Sequence, residues 1–436
     1  MNYYLFVDNF RGFSGTCIPI SDVNFLVGEN STGKSSILRL IKWLSGPGFL
    51  MRQDFDGDEV GFRHFSDMVS AHSEDQSYFH VGFASESTNK KTGKIATGCL
   101  FTFREKQGQP QLYKCTFCRG EENLTLKFGN AVYYKSSQCE PATTALEIVA
   151  ALRSQWVSEH TCKDNGYEKL DLPRGFSGRI PIAIALSLAS DISRNKKKKG
   201  EYPRFPLDLS FVLPELTWFG PIRTEPKRTY DELALDFSSE GRHTPYLIRR
   251  MLNSKSQAIR LKDFIEKVGK ASGLFQDVKT QSFGRGANPR FELDIVLDGK
   301  ALNILNVGYG VSQSLPIIVE LLARDKGTWF AIQEPEIHLH PRAQAALGDV
   351  LFEMAVTDHK RFLVETHSDY TMDRFRMNYK SGRPGKLESQ ILFFERRDKH
   401  NIVTPLSIGN SGELPTDQPD SYRQFFIREQ MDILGI

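Results

Sequence analysis

The chain has 436 residues, more than one ordinary compact domain needs, and its 40% hydrophobic, 11% aromatic and 25% charged residues suit a protein with a sizeable core. Fifty-six basic against 53 acidic residues leave a formal charge of +3, which excludes a global field strong enough to indicate nucleic-acid binding by itself. The six cysteines are scattered, the amino terminus MNYYLFVDNFRGF lacks a basic and then apolar leader, and no run approaches the ~18 apolar residues of a membrane span; the expectation is a soluble, cytoplasmic protein without membrane contact.

In chain order, YLFVDN and then CIPI to VNFLVG predict two short strands around a turn, the second running into a glycine-rich loop and the helix SSILRLIKWL. Between about 59 and 135, SYFHVGF, GCLFTFRE, QLYKCTFC, NLTLKF and AVYYKS fit an antiparallel sheet better than helices. From about 136 to 214, TALEIVAALRSQWV and IPIAIALSLASDI predict helices, read as an insertion closed by Lys196 to Lys199. TWFGPIR predicts a buried strand, TPYLIRRML and IRLKDFIEKVGKAS helices, and RFELDIVLDGKALNI a hairpin. The remainder alternates in the βαβ manner, with strands TWFAI, RFLVET and SQILFFE separated by RAQAALGDVLFEMAV and TMDRFRM. The expected organisation is α/β in three segments: 1–135, the helical insertion 136–214, and 215–436.

Gly28-Glu29-Asn30-Ser31-Thr32-Gly33-Lys34-Ser35 matches G-x-x-x-x-G-K-[ST] in the required place, between an apolar strand and a helix. Glycines let backbone N–H groups wrap phosphates, Lys34 can reach the β- and γ-phosphates, and the Ser35 hydroxyl can ligate Mg²⁺. Asn30, Ser31, Thr32 and Ser36 complete the expected ATP-binding set. Downstream, Thr328 to Glu336 is an apolar strand running into Gln333, Glu334 and Glu336, the form of a segment whose carboxylates face phosphates. Read without a function, it is a strand end before a helix started by Pro341. Gly308 to Gln313 is a glycine-rich turn opening the helix SLPIIVELL, and Glu365-Thr366-His367-Ser368 ends a strand.

In this order the motifs resemble those of ABC-type P-loop ATPases of the SMC/RecF-like and OLD-like branch. The Glu-Pro-Glu-x-His-Leu-His-Pro form, with GVSQSLP and ETHS, looks like the compact bacterial ATPases often found in phage-defence operons. The resemblance covers roughly 1–135 and 215–436. It implies an ABC-ATPase head with a mixed central sheet, an antiparallel β subdomain and a helical insertion, working as a homodimer or higher homo-oligomer with ATP and Mg²⁺. It also implies roles: Glu334 polarises the attacking water, and His367 senses the γ-phosphate. Ser312 caps a helix and meets the γ-phosphate held by the other protomer. Phe10, Arg11 and Phe13 match a segment that often lies over the adenine and phosphates, and Ile337 to His340 match the D-loop.

This chain departs from the pattern at Gln333, where an aspartate is usual; the amide is a weaker partner for Mg²⁺ and its waters. Slow hydrolysis is therefore expected, with Glu334 or Glu336 as candidate substitutes; equally, Gln333 could simply hydrogen-bond at the strand end. Other signals are discounted. Cys115 and Cys118, with His160 and Cys162, lack a recurrent zinc spacing, and His338 and His340 are assigned to the D-loop rather than to a metal. Lys196 to Lys199, with Arg194 and Arg204, form the best patch for DNA or RNA, against the commoner reading of a solvated loop. About 68 residues follow Ser368, fewer than the appended nuclease domain of OLD-like proteins needs, so any nuclease is expected on another chain. The leading expectation is an ATPase that senses a trigger and regulates a partner nuclease in bacterial anti-phage defence. The alternative is a RecF-like repair or recombination ATPase that grips DNA in its ATP-closed dimer.

Overall fold

The alternating apolar residues of the amino-terminal half form one long antiparallel sheet. The computed structural model describes residues 2–45, 48–51, 61–62, 64–89, 93–119, 121–138, 144–161, 166–172, 181–196, 214–231, 236–284, 289–381 and 385–426. Three strands open the chain, β1 (Asn2–Asp8), β2 (Thr16–Ile20) and β3 (Val23–Gly28), followed by α1 (Lys34–Leu44) and the short α2 (Gly48–Met51). Next come β4 (Tyr78–Asn89), β5 (Gly93–Lys106), β6 (Gln109–Arg119), β7 (Glu122–Phe128) and β8 (Val132–Gln138). Helix α3 (Ala145–Thr161), the two-residue β9 (Glu168–Lys169) and α4 (Ile182–Lys196) complete this half.

The second half begins with β10 (Leu216–Phe219), α5 (Thr244–Leu252) and α6 (Lys255–Ser272), then β11 (Asp277–Phe283), β12 (Arg290–Leu297) and β13 (Lys300–Asn303). Helix α7 (Tyr309–Ala323), β14 (Trp329–Gln333), α8 (Pro341–Thr357), β15 (Arg361–Glu365) and α9 (Asp369–Ser381) follow. The hairpin β16 (Ser389–Arg397) and β17 (His400–Ser407), and α10 (Asp420–Phe425), come last. No helix among the described residues is long and apolar enough to cross a membrane.

Two compact units divide the chain: Met1–Ser21, Asn30–Glu215 and Phe394–Val403 form the first, and Asp22–Glu29, Leu216–Phe393 and Thr404–Ile436 the second. In the first, eight strands pair in the order β2-β1-β4-β5-β6-β7-β8-β9, with Leu5 in register with Ile18 on one side and Phe83 on the other, all buried. Helix α3 opens on a capping box: Thr144 Oγ1 accepts from the Glu147 N–H at 3.3 Å, and Glu147 Oε2 accepts from the Thr144 N–H at 3.2 Å. Its Ala145, Ile148 and Leu152, spaced to share one helix face, cluster with Phe6, Ala84, Ala96, Leu100 and Cys118. The described part of segment 136–214 lies in the first unit.

A mixed six-stranded sheet runs β10-β14-β15-β3-β16-β17, and its neighbours β10, β14, β15 and β3, which belong to the second unit, are parallel. Every residue of β3, β10 and β14 is buried, as parallel strands covered on both faces require. Strand β11, which pairs with β12 in a separate three-stranded sheet, escaped the sequence reading because Val278 is its single buried residue. Helix α7 starts at Tyr309, earlier than the expected Ser314, so the glycine-serine turn is itself helical.

Helices α8 and α9 approach so closely that a Cβ at Gly348 would lie 2.3 Å from the Thr371 carbonyl oxygen and 3.0 Å from the Phe375 nitrogen. Gly348→Ala should therefore destabilise the fold by about 1–3 kcal/mol, the usual cost of overpacking. Urea unfolding measures it, and an unchanged midpoint would contradict this packing.

Candidate active site

Strand β3 delivers the chain into the glycine-rich loop. Gly28, Ser31 and Gly33 take positive φ values of 145°, 64° and 97°, and Gly33 stands at the α1 N-cap position without a side-chain cap bond. Only glycine adopts the Gly33 conformation cheaply, and a helix N-terminus left without a capping side chain suits a phosphate. Lys34 is buried, Thr32 is buried and Ser35 is half-buried, whereas Glu29, Asn30 and Ser31 are exposed.

Near α1, Arg11 Nη1 donates to Ser36 Oγ at 3.2 Å, and the Arg11 carbonyl accepts from Asn401 Nδ2 at 3.0 Å. Burial lowers the Arg11 pKa, reinforced by Arg39. Phe10 and Phe13 do not fit the expected place over a nucleotide. Both are fully buried; Phe10 packs on Phe62 and Phe79, and Phe13 on Phe394. Their apolar surface is already used by the core, which leaves Arg11 as the polar member of the segment.

At the carboxyl edge of the parallel strands the second unit gathers several expected residues. Gln333 and Glu365 face each other in register on β14 and β15, and Gln333 Nε2 donates to Glu365 Oε2 at 2.7 Å. The Glu334 N–H donates to the Glu365 carbonyl at 2.8 Å, and the His367 N–H to Glu336 Oε1 at 2.6 Å. Glu334 and His338 are left-handed, with φ of 44° and 64°; such strain costs about 1–3 kcal/mol per residue and gathers at functional sites. Burial pushes the Glu336 carboxyl up, against the His367 N–H that favours its ionised form. Ser368 starts α9 as its cap, its Oγ accepting from the Thr371 N–H at 3.0 Å.

Ser312 does not cap α7. It lies inside the first turn, and its hydroxyl donates to the Tyr309 carbonyl at 2.8 Å. Pro316, one turn on, has no N–H to return to the Ser312 carbonyl. The start of α7 is pressed on the segment after β14: a Cβ at Gly310 would come within 2.6 Å of the His338 carbonyl oxygen, and the Tyr309 and His338 rings meet edge to face at 4.8 Å. Farther along α7, buried Glu320 accepts from His243 Nε2 at 2.7 Å and from Arg324 Nε at 2.7 Å. The Ser238 N–H donates to His243 Nδ1, which leaves Nε2 as the protonated nitrogen. Burial alone would raise the Glu320 pKa, but the hydrogen bonds from His243 and Arg324 bring it below the ordinary value.

Residues 4–99 match a family model described as an AAA ATPase domain, and residues 179–373 match one described as an AAA domain, putative AbiEii toxin, Type IV TA system. The chain carries an AAA-family ATPase domain. The second match begins within the helical segment expected to lie outside the resemblance. Among solved structures, this ATPase is similar at 14% identity to an SMC head bound to the C-terminal winged-helix domain of ScpA, covering 94% of this chain and 98% of that one with a TM-score of 0.44. It is similar at 12% identity to the Pyrococcus furiosus SMC head with an extended coiled coil, covering 100% and 99% with a TM-score of 0.43. The SMC head from Thermotoga maritima shows 14% identity over 93% and 97%, with a TM-score of 0.40. No curated relative matches the chain.

The discounted signals of this ATPase have plain structural places. Cys115 and Cys118 are buried on β6, and burial holds the Cys115 thiol well above the usual range. His340 caps α8, accepting from the Ala343 N–H. Cys162, Lys197 to Lys199 and Arg204 lie outside the described residues, as do the side chains of His160, Arg194 and Lys196.

Sequence reasoning missed Arg223, which TWFGPIR places just beyond the carboxyl end of β10. Its side chain is 2% exposed; Nη2 donates to the Gln333 carbonyl at 3.2 Å, while Nε and Nη1 have no hydrogen-bond partner among the described residues. Burial lowers its pKa to about 10, opposed by the charges of Glu336 and Glu334. A fully buried cation facing two carboxylates is costly unless it serves them. Arg223→Met should leave a cooperative unfolding transition and shift the acid limb of ATP turnover to higher pH, because carboxylates that lose a nearby cation keep their protons longer. A pH–rate profile superimposable on the parental one would remove Arg223 from the site.

Proposed function

We propose that the protein binds ATP with Mg²⁺, hydrolyses it slowly as a homodimer or higher homo-oligomer, and uses nucleotide occupancy to regulate a separate effector, a nuclease, in anti-phage defence. The observation that supports this reading most directly is a common edge: β3 ends at Gly28, where the phosphate loop begins, Glu334 follows β14, and Thr366-His367 follow β15. Ligands of open α/β sheets bind outside the carboxyl ends of the strands. In this reading Lys34 pairs with the phosphates, Ser35 offers its hydroxyl to Mg²⁺, Glu334 orients the attacking water and His367 responds to the γ-phosphate. Ser312 meets the nucleotide held by a second copy.

Among the described residues no cluster of three or more His, Cys, Asp or Glu could hold a metal ion. Mg²⁺ that arrives on phosphates keeps several waters and needs few protein oxygens. ATP that bridges two copies favours the closed assembly, and loss of the γ-phosphate releases it. The toxin–antitoxin description of the matching family model supports a defence setting. Direct grip on DNA or RNA would make the effector dispensable.

Glu334→Gln should cut turnover by about 10²–10⁴-fold, the usual contribution of a positioned base, and keep ATP bound. Expressed from its native operon, this variant should co-purify with a nuclease-bearing partner that the Lys34→Ala protein fails to hold. Recovery of both variants without a partner would contradict the regulatory reading.

A further inference from the structure

Glu365 ends β15 and is 3% exposed. Its neighbours are set by strand register: Gln333 on β14 to one side and Leu26 on β3 to the other. Leu26 stands two residues before Gly28, where the phosphate loop begins. The pairing is tight on both sides, since the Thr366 N–H donates to the Leu26 carbonyl at 3.2 Å and the Glu334 N–H to the Glu365 carbonyl at 2.8 Å. The carboxylate of Glu365 therefore stands at the sheet edge between the strand that enters the phosphate loop and the strand that ends before Glu334.

Gln333 holds the position where a Walker B aspartate is expected. A carboxylate there would point at the Glu365 carboxylate, and two like charges side by side cannot both ionise readily. The amide instead donates to Glu365 Oε2 at 2.7 Å and fixes its orientation. A carboxyl group is thus present at this edge, one strand over and in register. Of the other carboxylates, Glu336 is committed to the His367 N–H through Oε1, and Glu334 is assigned to the attacking water.

We infer that Glu365, oriented by Gln333, supplies the carboxylate that faces the Mg²⁺ of bound MgATP, in place of the missing aspartate. This assignment rests on the ATPase reading. Mg²⁺ needs only one or two carboxylates beside phosphate and water, whether contacted directly or through its waters. The competing account is a structural pair that merely joins β14 to β15, and charge separates the two.

The test measures binding of a fluorescent ATP analogue to the full-length protein with Mg²⁺ and with EDTA, and follows Mn²⁺ in the nucleotide complex by electron paramagnetic resonance. Glu365→Gln should leave metal-free nucleotide affinity within about threefold and weaken metal-dependent affinity about 10- to 100-fold, the range seen when a group supporting a metal is lost. The double variant Gln333→Glu/Glu365→Gln returns the charge to β14, keeps an amide–carboxylate pair, and should recover most of the metal effect. If Glu365→Gln lowers the urea midpoint, the double variant, with its pair restored, carries the test. Parental metal dependence in Glu365→Gln, or a double variant no better than the single one, overturns the assignment while the ATPase reading stands. Parental protein that fails to bind MgATP overturns the ATPase reading itself.

Discussion

The Gln333 amide and the Glu365 carboxylate meet at 2.7 Å where two paired parallel strands end, and both side chains are buried. A buried carboxylate without a partner would cost several kcal/mol in effective desolvation, so this contact decides which ionisable group the sheet edge can hold. The register that makes it also places Glu334 one residue beyond β14 and Thr366 one residue beyond β15. Hydrogen bonds then fasten those residues to the neighbouring strands. A slip of one residue in either strand would turn Gln333 or Glu365 to the opposite face, and the edge would lose this pair.

Around this contact lie the cation Arg223 and the neighbouring carboxyl groups of Glu334 and Glu336. Arg223 lies beyond β10 and bonds the Gln333 carbonyl, while Glu336 accepts the His367 N–H. The attraction between Arg223 and the carboxylates is mutual, although burial and accepted hydrogen bonds weigh more on Glu336. The same segment bends through left-handed Glu334 and His338 and presses the His338 carbonyl on Gly310 at the start of α7. The segment after β14 is thereby packed on the first turn of the helix that carries Ser312. Glu320 anchors the far part of that helix through hydrogen bonds from His243 and Arg324.

Most strands of the two larger sheets were legible because their alternation or continuous apolar runs are long, and the phosphate loop because its glycines and lysine have a fixed spacing; β9 and β17 were not, and the run from β2 to β3 read as one strand although the two pair in different sheets. Strand β11 was not legible either, since one buried valine gives no alternation. The first turn of α7 was misjudged because Gly308 and Gly310 argue for a loop; what holds it helical is contact with the segment after β14, a distant part of the chain. Phe10 and Phe13 looked available in NFRGF, yet their burial depends on Phe62, Phe79 and Phe394, which no local window contains. Arg223 escaped, and Glu365 was read only as part of the strand end Glu365-Thr366-His367-Ser368, for a related reason. Each is one charged residue at the end of an apolar strand, and its importance appears only when strand order brings it beside Gln333.

The central claim is that this edge works on ATP and that Ser312 completes the site of a second copy. Mixing two inactive variants, Lys34→Ala and Ser312→Arg, tests it most directly. A mixed dimer gathers both defects in one composite site and leaves the other intact, so ATP turnover should partly return once subunit exchange is verified. A covalently linked dimer with both substitutions in one half retains no intact composite site and should stay inactive. Parental turnover from the unmodified half of that linked dimer would contradict the account.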